Sequence, residues 1–173
     1  ALVFTKSAEA TQRLVRLFEF FEQARLAAGA DADAGKPIVI RAYSSDLAAG
    51  ERKAILEKFK AQEIDLLVCS DLISRGIHIS HVAHVVSYDV PVDMRKYVHR
   101  VGRTARAGRE GDAWTLVEEQ EARYFKEMLK AAEHADKVAR VRVSDKQLEP
   151  LVPFYEGALR QLRDVYGRDR RTE

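Results

Sequence analysis

Residues Leu2 to Gly29 read LVFTKSAEATQRLVRLFEFFEQARLAAG, a short apolar run followed by a long amphipathic pattern. Leu2 to Thr5 is typical of a buried β-strand, and Ala8 to Ala28 has apolar residues at near-helical spacing. Ser7 is well placed to cap the amino end of this helix, and Gly29 to stop it. A strand that leads into a helix is the first part of a βαβ unit, and repeated units of this kind build a parallel sheet.

The alternation of strand and helix patterns continues along the chain. Further strands are predicted at Ile38 to Ala42, Asp65 to Cys69, His84 to Tyr88 and Ala113 to Val117. Further helices are predicted at Leu47 to Phe59, Glu121 to Ala132 and Leu151 to Tyr166, with a possible strand at Ala139 to Val143. Ala28 to Gly35 is an expected loop, and the charged end Gly167 to Glu173 is expected to fray. The predicted fold is α/β, an open parallel sheet with helices on both faces and functional loops at the carboxyl ends of its strands.

Composition limits the classes of function. The 173 residues are 46% hydrophobic and 32% charged, which is typical of one soluble globular domain. The net charge of +2 comes from 29 basic and 27 acidic side chains, so a nucleic-acid contact must rest on a local patch. Cys69 is the only cysteine, which excludes an internal disulfide and a Cys-based metal site. No apolar run approaches the roughly 20 residues that span a membrane, and the start on a strand without a leader predicts a piece of a longer intracellular protein.

The strongest chemical signal is the basic segment Tyr97 to Gly108, which reads YVHRVGRTARAG. Its two glycines, Gly102 and Gly108, predict a turn-rich backbone. The guanidinium groups of Arg103 and Arg106 are planar, permanently charged forks that suit phosphate oxygens and the charge of a departing phosphoryl group. A solvated basic helix is the alternative interpretation, and these residues alone leave both open.

Four motifs, in order, resemble those of the DEAD-box RNA helicases. Ser70 to Ile79, SDLISRGIHI, resembles motif V, and His99 to Arg106, HRVGRTAR, resembles motif VI. Leu2 to Ser7 is similar to motif IV, and Tyr88 to Pro91, YDVP, to the family's Y-D-x-P step. The resemblance covers Ala1 to Val117.

This resemblance implies a C-terminal RecA-like domain at residues 1–146 and a helical extension at residues 147–173. Such a domain closes over ATP, whose Mg²⁺ is held mainly by a first RecA-like domain outside this chain. Arg103 and Arg106 match the arginines that reach the β- and γ-phosphates. The positions that match the family's nucleotide contacts are Arg75, Gly76 and His78. The positions that match its coupling residues between the ATP and RNA sites are Asp71, His99 and Arg100.

RNA is the partner that the resemblance implies. The positions that match the family's contacts with the RNA backbone are Ser7, Arg52, Ser70 and Gly76. Hydroxyl, amide and guanidinium groups there imply binding of phosphates without reading of bases. The form of Tyr43 to Ser45 and of motif VI is similar to the branch that works in large ribosomal subunit assembly. That branch implies a ribosomal RNA precursor and ribosome-assembly factors as partners, a location in the nucleolus of the nucleus, and no membrane partner.

Two other functions stay open at this stage. One is a scaffold that keeps the fold, has lost ATP turnover and holds RNA or ribosomal proteins. The other is a DNA helicase of the same superfamily. Retention of Arg103 and Arg106 argues against the scaffold, and the form of motifs V and VI favours RNA over DNA.

Three positions depart from the family pattern. The Q-x-x-R box reads Ala49-Gly50-Glu51-Arg52, which keeps the arginine and loses the glutamine. Ala105 replaces a glycine of motif VI, and we expect it to be tolerated if its backbone φ is negative. His78 stands where the family usually has an aspartate that accepts hydrogen bonds from the ATP ribose, so we expect a weaker ribose contact. The alternative is that His78 points to solvent and that a neighbouring residue or a water molecule contacts the ribose.

Several other side chains are of types that often have functional roles, but for most of them we expect a structural role. His78, His81 and His84 recur every three residues without a nearby carboxylate or thiol, so no metal site is predicted. Cys69 is expected in the core. The aromatic residues expected to pack in the core instead of stacking on bases are Trp114, Tyr124 and Phe125. A solvated helix face and an extension of the RNA track both stay open for the tail arginines Arg160, Arg163, Arg168, Arg170 and Arg171.

Overall fold

The computed structural model describes residues 1–29, 35–79, 81–106 and 108–169. Within these residues the strands are β1 (Leu2–Thr5), β2 (Ile40–Ala42), β3 (Leu66–Ser70), β4 (His84–Ser87) and β5 (Asp112–Thr115). The helices are α1 (Ala8–Ala27), α2 (Ala49–Lys60), α3 (Met94–Val101), α4 (Glu119–Ala131), α5 (Asp145–Leu148) and α6 (Val152–Asp169). The strands are all parallel in the order β2-β3-β1-β4-β5, which confirms the predicted α/β sheet.

The central strand β1 contributes to a core on each face of the sheet. Leu2 and Phe4 pack on one face with Ile55 of α2, whereas Val3 packs on the other with Val15 of α1. Successive side chains of a strand point to opposite faces, so a strand covered on both sides must be apolar throughout. This is why β1 has a continuous apolar sequence and no polar alternation.

Hydrogen bonds at the start of α1 fix the chain as it leaves β1. The Ser7 hydroxyl accepts a hydrogen bond from the Ala10 N–H at 3.0 Å, which confirms the predicted cap. The hydroxyls of Thr5 and Thr11 bond to each other at 2.6 Å in the interior. Gly29, just past the helix, has a φ of +56°, the left-handed conformation that commonly ends helices.

Two further contacts place the remaining helices. α3 and α4 share a small core of Tyr97, Phe125 and Leu129, and the Tyr97 and Phe125 rings lie 6.0 Å apart between centroids. α6 packs against α1, with Phe154 edge-on to Phe21 at 6.1 Å between ring centroids. The helix predicted as an extension therefore lies against the outer helix of the sheet domain, and the predicted domain boundary itself stays a prediction.

All five predicted strands of the sheet are present, and each begins and ends within two residues of its predicted bounds. The possible strand at Ala139 to Val143 is wrong, because residues 138–144 form neither strand, helix nor turn. The prediction of a turn-rich backbone at Tyr97 to Gly108 is wrong for its first part, since α3 continues to Val101. The expected loop at Ala28 to Gly35 and the frayed end at Gly167 to Glu173 fall largely outside the described residues.

The predictions that three aromatic side chains pack in the core have different outcomes. Phe125 is buried, whereas Trp114 and Tyr124 are 48% and 55% exposed, so their assignment to the core is wrong. Trp114 lies on β5, which within the described residues is an edge strand that pairs only with β4. Its indole N–H donates to Asp112 Oδ1 at 2.9 Å. Tyr124 uses its hydroxyl to donate to the carbonyl of Val92. Each exposed ring thus satisfies its polar atom locally.

Cys69 lies in the core, as predicted, and is fully buried on β3. Burial, together with the nearby Asp71 carboxylate, raises the pKa of its thiol to about 12. A thiol with so high a pKa is not a nucleophile near neutral pH. Within the described ranges, no helix is long and apolar enough to cross a membrane.

We expect Ser7→Ala to lower the free energy of unfolding by about 1 kcal/mol, because the first turn of α1 loses the acceptor for the Ala10 N–H. Ser7→Asp should retain most of the stability, since aspartate is an equally good cap. Urea denaturation of the three proteins measures this. Equal midpoints for wild type and Ser7→Ala would show that the cap contributes nothing.

Candidate functional site

A buried arginine joins three strands at the carboxyl edge of the sheet. Arg100, on α3, donates from Nε and Nη2 to the two carboxylate oxygens of Asp71, both at 2.8 Å. Its Nη1 donates to the carbonyl of Asp89 at 2.6 Å, and its guanidinium lies 5.5 Å from the centre of the Phe4 ring. Asp71 follows β3, Asp89 follows β4, and Phe4 belongs to β1. The guanidinium therefore holds α3 against the ends of three adjacent strands.

Arg103 is also turned inward. Its Nη1 donates to the carbonyl of Ile77 at 2.6 Å and its Nη2 to that of Ser74 at 2.9 Å. It is only 8% exposed, and its Nε has no hydrogen-bond partner among the described residues. Burial and the nearby Arg106 lower its pKa. In this conformation Arg103 clamps the segment that connects β3 to β4 and does not extend into solvent.

His99 is an acceptor for Arg103. Arg103 Nη2 lies 3.2 Å from His99 Nε2, and because a guanidinium only donates, this nitrogen must be unprotonated. Partial burial, followed by the positive charges of Arg103 and Arg75, lowers the pKa of His99. The neutral imidazole is thus the form that suits this contact, and protonation would remove the acceptor.

Arg106 differs from Arg103 although it lies only three residues away. Its side chain is exposed, and within the described part of the chain its guanidinium forms no ion pair or hydrogen bond. Its backbone N–H approaches His81 Nδ1 at 3.5 Å. Arg106 is therefore the arginine of motif VI that is free to bind an anion.

Ala105, between these two arginines, has a φ of +53°. The expectation that it is tolerated at negative φ is therefore wrong in its premise, because the backbone takes the left-handed conformation that favours glycine. The turn is also crowded from Gly111, where a Cβ atom would lie 1.8 Å from the hydroxyl of Thr104. Gly111 is a residue of the site that the sequence reasoning missed.

The predicted nucleotide contacts lie on the segment that Arg103 clamps. Arg75 and His78 are exposed, and Gly76 follows the buried Ser74, whose hydroxyl donates to the Asp71 carbonyl at 2.9 Å. A Cβ atom on Gly76 would lie 3.5 Å from the hydroxyl of Tyr43, which is ordinary contact. These residues are joined to motif VI through the carbonyls that Arg103 holds.

The predicted RNA contacts share the carboxyl edge of the sheet only in part. Thr5 pairs in register with Ser70, so Ser70, the last residue of β3, and Ser7, two residues after β1, lie at the same edge. Ser70 is buried, and the Ser7 hydroxyl caps α1. Arg52 is half-buried in the first turn of α2, beyond β2.

Asp89 is a second residue with a role that the sequence reasoning missed. Besides its carbonyl contact with Arg100, its carboxylate accepts a hydrogen bond from the Lys6 N–H at 2.7 Å. Its place directly after a predicted strand was the available signal, because polar groups at carboxyl strand ends tend to converge.

The histidines are distributed over separate contacts. His84 Nδ1 bonds to Asp112 Oδ1 at 2.7 Å on the adjacent strand, and this bond lowers the pKa of Asp112. His78 and His81 do not join them in a cluster. Across the residues that the structure describes, no three His, Cys, Asp or Glu side chains gather to hold a metal ion.

Comparison with known proteins matches residues 1–108 to the family described as "Helicase conserved C-terminal domain". The chain is 39% identical over 163 residues to the ATP-dependent RNA helicase dbp6 of Schizosaccharomyces pombe, covering 94% of the chain and 26% of that protein. It is 41% identical over 170 residues to the ATP-dependent RNA helicase DDX51 of Homo sapiens, covering 98% of the chain and 23% of that protein. The chain thus spans about a quarter of the length of these curated relatives.

A solved structure shares the fold. The E. coli DEAD-box protein SrmB, in its crystal structure with regulator of ribonuclease activity A, superposes with a TM-score of 0.57 at 27% identity. The match covers 84% of this chain and 75% of that one. The resemblance to DEAD-box RNA helicases that the motifs indicate is thereby confirmed.

We expect Arg100→Met to lower the free energy of unfolding by about 3 kcal/mol, because Asp71 loses its partner in a largely buried setting. The matched control is Arg123→Met on α4, whose ion pair with Glu127 is exposed and whose loss should cost below about 1 kcal/mol. Denaturant titration compares the two. Similar losses for both variants would contradict a special role for Arg100, whereas recovery of stability by adding Asp71→Leu to Arg100→Met would support it.

We expect Ala105→Gly to raise the free energy of unfolding by about 1 kcal/mol, because glycine adopts a φ of +53° without the steric penalty of a Cβ atom. The same exchange at Ala54, exposed in the middle of α2, should lower it by about the same amount. Thermal melts of both variants provide the measurement. A loss of stability at both positions would show that the turn does not strain Ala105.

Proposed function

The chain belongs to the helicase conserved C-terminal domain family, and on that premise we propose that it is the second ATPase half of an ATP-dependent DEAD-box RNA helicase. In this proposal the domain closes over ATP that a first RecA-like domain holds together with Mg²⁺. It supplies cations to the phosphates and contributes part of the RNA-binding surface.

The guanidinium of Arg106, which is exposed and forms no ion pair or hydrogen bond within the described residues, is the observation that carries the proposal. A permanently charged group without a protein partner is available to an external anion, and the fork of a guanidinium fits two phosphate oxygens. Stabilisation of the charge on a transferring phosphoryl group is the task of an arginine finger. We assign this task first to Arg106.

Arg103 fits the same task only after a change of conformation. Its guanidinium is bound to the carbonyls of Ile77 and Ser74, and both contacts must break before it reaches a phosphate. Those carbonyls belong to the segment that carries Gly76 and His78. Release of Arg103 would therefore free the segment that we assign to the nucleotide and to RNA, and this links the two sites.

The proposed roles of the remaining residues follow from their positions. Asp71, His99 and Arg100 form the connection between the strand ends and Arg103, which supports a coupling role. His78 and Arg75, both exposed, are assigned to the nucleotide side. The residues assigned to the RNA backbone are Ser7, Arg52, Ser70 and Gly76.

We further propose a ribosomal RNA precursor as the RNA, ribosome-assembly factors as partners and the nucleolus as the location. The support is the form of Tyr43 to Ser45 and of motif VI, together with the similarity to dbp6 and DDX51. Binding to the phosphate backbone should weaken as salt rises, because each neutralised phosphate releases counterions.

In the complete two-domain protein, we expect Arg106→Ala to reduce RNA-stimulated ATP hydrolysis by about 10³-fold, since an arginine finger contributes on this order to phosphoryl transfer. The matched control is Arg109→Ala, which removes an exposed arginine three residues further along and should leave turnover close to wild type. Steady-state ATPase assays with and without RNA measure both.

Two outcomes would contradict the proposal. One is near-wild-type turnover by the Arg106→Ala protein, which would favour the scaffold function. The other is steady ATP hydrolysis by the 173-residue chain alone, since the groups that hold ATP and Mg²⁺ are assigned to the other domain. Circular dichroism of Arg106→Ala should match wild type, because this side chain is exposed and forms no ion pair or hydrogen bond with any residue that the structure describes.

A further inference from the structure

Within the described residues the segment Val138 to Val143, VARVRV, belongs to no helix, strand or turn, and we refer to it as the open segment. It lies between a 3₁₀ turn at Ala135–Lys137 and the short helix α5. Val138 has φ −119° and ψ 122°, which are strand values. In the part of the chain that the structure describes, no backbone N–H or C=O of the open segment forms a hydrogen bond.

The side chains of the open segment are all exposed. Val141 and Val143 are 63% and 62% exposed. Arg140 and Arg142 are exposed and form no ion pair with any residue that the structure describes. Alternate residues of a strand point to opposite sides, so pairing of the open segment as a strand would place Arg140 and Arg142 on one side and Val141 and Val143 on the other.

We propose that the open segment is a docking edge for an extended acidic segment of another protein, which pairs with it as an added β-strand. An unpaired extended backbone is a template for strand addition, in which main-chain hydrogen bonds hold the peptide and alternate side chains select it. Carboxylates of the partner would face Arg140 and Arg142, and its apolar residues would cover Val141 and Val143.

Charge separates this occupant from the alternatives. In a second copy of this chain paired in antiparallel fashion with Val141 opposite Val141, Arg140 and Arg142 would face arginines, and like charges directly opposite each other are destabilising. An RNA backbone would satisfy the guanidinium groups but would leave the valines and the main-chain groups without partners. An acidic strand provides partners for the guanidinium groups, for the valine side chains and for the main-chain N–H and C=O groups.

The experiment follows amide resonances of the ¹⁵N-labelled 173-residue chain during titration with a blocked peptide of alternating glutamate and valine. We expect saturable shifts centred on Val138 to Val143 and hydrogen exchange slowed about tenfold or more at alternate amides of the open segment. A peptide with lysine in place of glutamate should bind at least about tenfold more weakly.

Two variants distinguish charge from backbone pairing. The double change Arg140→Glu and Arg142→Glu should invert the preference, so that the lysine peptide binds and the glutamate peptide does not. The same charge change at Lys126 and Lys130, exposed on α4, is the matched control and should alter neither affinity. Val141→Pro should abolish binding of both peptides by removing one N–H and blocking the ladder. Melting curves verify that each variant is folded.

Four results would overturn the inference. The first is equal affinity for the glutamate and lysine peptides, and the second is an absence of saturable shifts in the open segment at millimolar peptide. The third is slow exchange of the amides of the open segment before any peptide is added, which would indicate pairing within the chain or in a dimer. The fourth is the appearance of shifts with a single-stranded RNA oligonucleotide but not with the acidic peptide. Sedimentation of the free chain separates internal pairing from dimer formation.

Discussion

The ion pair between Arg100 and Asp71 is the interaction on which the arrangement of the candidate site depends. A buried guanidinium is unfavourable unless its donors are matched, and here Nε, Nη1 and Nη2 all have acceptors. Apolar side chains of similar volume often give equal or greater stability than such a pair. The pair fixes the position of α3. The acceptors of Arg100 lie on residues that follow two different strands, and a single placement of α3 allows Arg100 to donate to all of them.

The remaining contacts of the site follow from this placement. Arg103 comes three residues after Arg100, so a helix held by Arg100 directs it toward the segment between β3 and β4. Within the described residues that segment forms one short 3₁₀ turn, in which the Ser74 carbonyl accepts a hydrogen bond from the Ile77 N–H. Arg103 also donates to the Ser74 carbonyl, and it donates to the Ile77 carbonyl, which accepts no backbone hydrogen bond in the described residues. His99 accepts from the same guanidinium. Motifs V and VI are thus parts of one hydrogen-bonded unit.

The centre of the sheet could be predicted from the sequence because burial on both faces makes β1 and β3 local apolar runs. α3 could not, because its buried side carries Arg100 and the rule of apolar periodicity treats arginine as exposed. The open segment was predicted as a strand but is not one. Its apolar and polar residues alternate as in a strand, but a strand also needs an adjacent strand to pair with, and a local sequence pattern does not show whether one is present. The φ of Ala105 is likewise imposed by its surroundings.

The resemblance identifies the motif residues of the candidate site, but it does not show whether each side chain is buried or exposed. In the sequence Arg103 and Arg106 are both arginines of motif VI, whereas in the structure Arg103 is buried and Arg106 is exposed. The difference arises from tertiary contacts with a segment more than 20 residues away in the chain. Gly111 escaped the sequence reasoning for the same reason, because its close approach to Thr104 exists only after folding.

The two buried arginines are held with different strength, and this bears on the proposed function. Arg100 is neutralised by a carboxylate, whereas Arg103 is a cation among carbonyl dipoles whose Nε has no partner in the described residues and whose pKa is lowered by burial and by Arg106. A phosphate would replace these neutral acceptors with anionic ones, which form stronger hydrogen bonds. It would also reduce the repulsion between Arg103 and Arg106 by lying between them. Under the proposed function Arg106 therefore meets the phosphate first, and Arg103 follows by leaving the segment that it clamps.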